Sequence, residues 1–164
     1  MMNARFLGIY LNDHLAGATT GVELARRSRA SNQGTELGDF LAELTAGIEA
    51  DRDTLESVME TLGVQKNQVK RVAGWGAEKL ARLKLNGQLR GYSPLSRLVE
   101  LEFLLIGITG KLGMWKVLQA TVADRLAAFD LAELIARAES QRTGVEALRL
   151  EAAQFAVEPA GHQA

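Results

Sequence analysis

The sequence predicts an all-α fold, a four-helix bundle of two antiparallel hairpins with an additional helix in the long crossover between them. Composition, helix-end signals and an internal repeat carry this reading. Ala and Leu dominate the 164 residues, only two are proline and β-branched residues are sparse, which is the profile of good helix formers. Residues 41–56, LAELTAGIEADRDTLE, match 131–146, LAELIARAESQRTGVE, at eight of sixteen positions with an offset of 90. That offset is about 25 helical turns at 3.6 residues per turn, so matched residues share a helix face. The two segments are quasi-equivalent members of two halves.

Each element follows from its end signals. Asn3 caps a first helix over 4–30, which finishes with Arg26, Arg27 and Arg29, cations suited to a helix C-terminus. Ser31-Asn32-Gln33-Gly34 is a turn, and Thr35 caps a second helix over 36–62 with Glu36 and Asp39 in its first turn. Gly63 ends that helix in the left-handed conformation that glycine adopts freely. A third helix is expected over 67–86, before Asn86-Gly87. Ser93-Pro94 opens a fourth over 94–121, with proline where its missing N–H costs nothing. Asp130-Leu-Ala-Glu133 is a capping box for a fifth over 131–156, with Phe129 and Leu134 as its hydrophobic staple. Short turns pair the first helix with the second and the fourth with the fifth, while about thirty residues separate the hairpins. One domain over 1–157 is expected, followed by a disordered tail at 158–164.

Several function classes are disfavoured at once. There is no cysteine, so disulfides, thiolate metal sites and a Cys nucleophile are excluded. A net charge of −1 offers no global attraction to nucleic acid, and no specific nucleic acid is expected. The first residues lack a basic run and long apolar core, and Phe103 to Ile108 is far short of a membrane span, so cytoplasmic residence is expected.

Helical phase selects the polar residues that point inward. His14 lies in the apolar face of the first helix, Asp51 in that of the second, Gln141 at the matching position of the fifth, and Glu102 between the two apolar sides of the fourth. His14 and Asp51 stand at equal distances from the turn at 31–34, so a hydrogen-bonded His–Asp pair is expected. This group reads either as a metal or proton-handling site or as a buried polar cluster satisfied by mutual hydrogen bonds. Glu49, Arg52 and Glu56, with their equivalents Glu139, Arg142 and Glu146, have the spacing of intrahelical ion-pair rows.

The two pseudo-symmetric hairpins, the long crossover and segments such as YLNDHLAGATTGVELARR and YSPLSRLVELEFL resemble an uncharacterised bacterial branch of the ferritin-like superfamily. The resemblance covers about 3–156. It implies a carboxylate on the first helix of each hairpin and Glu-x-x-His on the second, around two metal ions. The matching positions are Glu49-x-x-Arg52 and Glu139-x-x-Arg142, with arginine in place of histidine. Arginine cannot ligate a metal, so the expected site is degenerate, with no metal and no cofactor.

Two further stretches bear on partners. Gly107-Ile-Thr-Gly110-Lys-Leu-Gly113 has neither dinucleotide nor Walker spacing. It shares a second apolar side with Val99, Phe103, Ile106, Met114 and Val117, against which the crossover helix or a second subunit is expected to pack. The crossover is basic, and Arg71, Trp75, Lys79 and Arg82 suit an anionic partner or a membrane surface; the competing reading is a solvated face balancing the acidic second helix. The sequence thus leads to a non-catalytic interaction or assembly module, expected to be a homo-oligomer. The alternative is a metal-binding or redox protein, an enzyme or metal carrier, with an atypical site at mid-bundle.

Overall fold

The structure, a computed structural model, describes residues 3–66 and 92–157. The expected helix at 67–86, with Arg71, Trp75, Lys79 and Arg82, and the tail at 158–164 lie outside the described residues. Four long helices make up the described fold: α1 (Ala4–Ser31), α2 (Glu36–Thr61), α3 (Pro94–Val122) and α4 (Leu131–Val157), with a short 3-10 turn at Ala123–Arg125. The observed ends fall within a residue of the predicted ones. None of these helices is long and apolar enough to cross a membrane.

Local chemistry sets these boundaries. Asn3, Thr35 and Ser93 each accept a hydrogen bond from the backbone N–H three residues on, at 3.2, 3.1 and 3.0 Å. Each satisfies an amide that the first helical turn leaves without a partner. Asp130 does the same for Glu133 at 2.9 Å, and Phe129 packs on the core that contains Leu134. Gly34 and Gly63 have φ of +77° and +70°, the left-handed geometry that turns the chain after α1 and α2. A Cβ at Gly38 would stand 2.1 Å from the Asn32 carbonyl oxygen, so the α1–α2 turn closes only over a glycine.

Neighbouring helices run antiparallel around the bundle. Arg26 of α1 meets Glu49 of α2, Lys116 of α3 meets Glu139 of α4, and Arg27 of α1 meets Glu100 of α3. Arg137 of α4 closes the square on Asp51 of α2. The chain order is therefore up, down, down, up, and the stretch between Lys66 and Tyr92 joins opposite ends of the bundle. Two apolar clusters fill the interior. One gathers Leu11, Leu55, Met59, Trp115, Leu118 and Leu134 towards the start of α1; the other gathers Val22, Leu41, Leu44, Leu101, Ile108 and Val145 towards its end. Between them lies a polar layer.

Candidate functional site

Asp51 is the centre of that layer, only 2% exposed. Its Oδ1 accepts from Arg137 Nε at 2.9 Å and from the second guanidinium nitrogen, and its Oδ2 accepts from the Lys111 ammonium. Lys111 donates again to Gln141 Oε1. Burial pushes the Lys111 pKa below the ordinary lysine value, and nearby Arg137 pushes the same way, while Asp51 opposes both. A buried carboxylate with two cations is electrostatically satisfied and carries a surplus of one positive charge.

The layer has an approximate two-fold relation between α2 and α4. Asp51 and Gln141 are 90 residues apart, as are Gly47 and Arg137. Asp51 bonds Arg137, and reciprocally the Gln141 amide nitrogen sits 2.6 Å from where a Cβ of Gly47 would stand. Each helix thus meets its equivalent with the same pair of positions. A Cβ at Gly47 would require the end of the Gln141 side chain to shift.

Lys111 bridges Asp51 and Gln141, and the other two residues of the expected cluster lie apart from it. His14 packs its ring edge-on against Tyr10, centroids 4.6 Å apart, and the His14–Asp51 pair does not form. Lys111 and Arg137 reach Asp51 first, and their fixed or strong charge outcompetes an imidazole. Burial lowers the His14 pKa, with Asp13 opposing. Glu102 lies outside the cluster, half-exposed and paired with Arg149 at 3.2 Å. Among the described residues the buried glutamate is Glu100, 4% exposed, which pairs with Arg27 at 2.9 Å and accepts from the Tyr92 hydroxyl at 3.1 Å. Tyr92 in turn accepts from Asn32, tying the start of α3 to the α1–α2 turn.

The closest contacts of the expected ion-pair rows are with other partners, although Arg142 still helps Lys116 to lower the Glu139 pKa. Glu49 pairs with Arg26, Arg52 with Asp53, and Glu56 with Lys66; Glu139 pairs with Lys116 and Glu146 with Arg149. Neighbouring helices and the chain beyond α2 offer partners that the helix's own arginine does not exclude. Among the described residues, no three His, Asp or Glu side chains gather where they could hold a metal ion.

Lys111 and Arg137 were legible in principle. Lys111 falls on the buried stripe Leu104, Ile108, Trp115 and Leu118 at steps of three and four, and Arg137 stands three after Leu134 and four before Gln141. Reading 107–113 as a glycine pattern hid the lysine within it.

The layer also forms one wall of a cleft. It lies between α1 and α3, is floored by α2, and measures about 230 Å³. His14, Gly17 and Gly21 line it from α1, Ile48, Asp51 and Leu55 from α2, and Phe103, Gly107, Gly110, Lys111 and Trp115 from α3. A Cβ on Gly17, Gly21, Gly107 or Gly110 would meet nothing within 4 Å, so these glycines create open space among the described residues. Comparison of the chain with protein-family profiles, characterised proteins and solved structures gives no match, so the geometry alone carries the functional reading.

Proposed function

We propose that this chain is a non-catalytic helical bundle of ferritin-like organisation that acts as an assembly module, pairing with a second copy of itself. The up-down-down-up order and the quasi-two-fold layer support the ferritin-like reading. Lys111 and Arg137 support the non-catalytic one, because they place positive charge around Asp51, the buried carboxylate at mid-bundle among the described residues.

The observation that carries assembly is the outer face of α3. Val99, Phe103, Ile106, Gly110, Gly113, Val117 and Ala120 alternate at steps of four and three, the spacing of a coiled-coil seam. Ile106 is 66% exposed, Val117 42% and Phe103 37%, and the two glycines between them are also exposed. Helix α3 already buries its opposite side in the core, and among the described residues this second seam stays exposed. Glycines at its middle let another helix approach closely, flanked by Ile and Val knobs.

Sedimentation of the full chain across a concentration series tests the reading. The expected result is a mass at least twice 17.8 kDa, reduced to that of one chain by Ile106→Glu. A single-chain mass at every concentration would refute assembly.

A further inference from the structure

The exposed seam on α3 carries a pattern of size and charge that an antiparallel second copy satisfies and a parallel one does not. Its large side chains, Phe103 and Ile106, come first along the helix, and Gly110 and Gly113 follow. A Cβ on either glycine would meet nothing within 4 Å, so each leaves a hole among the described residues. A parallel pair would set Phe103 against Phe103, Ile106 against Ile106 and glycine against glycine, crowding one stretch and leaving the next hollow. An antiparallel pair with Val99 opposite the partner's Val117 sets Phe103 against the partner's Gly113 and Ile106 against the partner's Gly110. Every large knob then finds a hole.

Charge selects the same arrangement. Glu102 and Lys116 border the seam on the side of α4, where Glu102 meets Arg149 at 3.2 Å and Lys116 meets Glu139 at 2.8 Å. Their side chains remain 46% and 52% exposed, so each can take a second partner. Antiparallel packing faces like borders with each other and brings each Glu102 beside the partner's Lys116. The result is a row of alternating sign: Arg149, Glu102, the partner's Lys116 and the partner's Glu139. Such a row holds better than an isolated exposed pair. The other border of the seam carries Gly107 and Met114, so a parallel pair, which faces one border with the other, gives neither charge a counterpart.

Resting on the assembly reading, we infer that the second copy docks α3 against α3 in antiparallel, about a two-fold axis at the height of Ile108 and Thr109, with Glu102 and Lys116 paired across it. The glycines set how closely the helices approach, and the two borders set which way they run. A contact of this kind is isologous and closes at two chains.

The chain has no cysteine, so single cysteines report the orientation. Full-length Val99→Cys and Val117→Cys proteins, mixed and oxidised, are expected to cross-link to one another, and neither to itself. In the antiparallel pair the partner's Val99 lies at the height of Val117, roughly 27 Å along the helix from Val99 and far beyond the reach of a disulfide. Charge exchange tests the register independently. Glu102→Lys makes both cross-pairs repulsive and should weaken self-association by about tenfold or more, as should Lys116→Glu, whereas a mixture of the two variants regains both pairs and should dimerise near the original affinity. Circular dichroism and thermal unfolding of each variant alone serve as the control for folding. Self-cross-linking of either cysteine protein, absence of the mixed cross-link, or a mixture of charge variants no tighter than each alone would overturn the inference. A twofold mass alongside any of these leaves the assembly reading standing, while a single-chain mass at every concentration overturns both.

Discussion

Removing the Asp51 carboxylate would leave Lys111 and Arg137 facing each other in a space that water reaches poorly. Asp51→Leu is expected to cost about 3 kcal/mol by urea unfolding, the lower end for breaking a buried pair because Arg137 is partly solvated. Adding Lys111→Met should recover much of that loss, since it removes the ammonium left without its carboxylate; strictly additive losses would show that the two do not act as a pair. His14 makes a separate prediction. Its folded-state pKa lies below the ordinary 6.5 because burial favours the neutral ring. The unfolded chain therefore binds more protons than the native one just below pH 6.5, so stability should fall as pH drops through that value and be indifferent to His14 above it. His14→Phe should flatten this part of the stability–pH curve, and an unchanged slope would assign it to other groups.

Helix α2 tests how closely the polar layer is fitted. A Cβ at Gly47 would displace the end of the Gln141 side chain and cost Lys111 an acceptor. Gly47→Ala is thus expected to destabilise by about 1 kcal/mol even though alanine is the better helix former. In a Gln141→Ala background the same substitution should stabilise by about 1 kcal/mol, as propensity alone dictates. No change of sign would mean that the amide simply swings aside. The elements themselves were readable because caps, turns and phase are local: Asn3, Thr35, Ser93 and Asp130 each act on an amide three residues away. The site was readable only in part. Phase singled out Asp51 and Gln141 but could not rank their partners, because a lysine or arginine reaches across a bundle from positions where a histidine does not. Glu100 was overlooked for the same reason: its burial depends on Arg27 and Tyr92, 73 and 8 residues away.

The whole molecule inherits a near-symmetry from its halves. If the two-fold relation is physical, its asymmetric residues should be exchangeable. Asp51→Gln with Gln141→Asp leaves Lys111 its acid and its amide but takes the carboxylate away from the position Arg137 now reaches. A loss of about 1–2 kcal/mol is expected. Adding Gly47→Arg and Arg137→Gly completes the exchange and should restore most of that loss in thermal or urea unfolding. A fourfold variant no more stable than the twofold one would reduce the repeat to coincidence of composition.

The polar layer joins groups that no single hairpin possesses. The first hairpin brings one acid to the seam; the second brings two bases and an amide. Formation of the core is in this respect a binding reaction between two partners, and the stretch from Lys66 to Tyr92 makes it unimolecular. Because both hairpins belong to one chain, the halves meet with a probability independent of how dilute the protein is. The same logic permits exchange between chains: at high concentration, the first hairpin of one molecule can complete the layer of another.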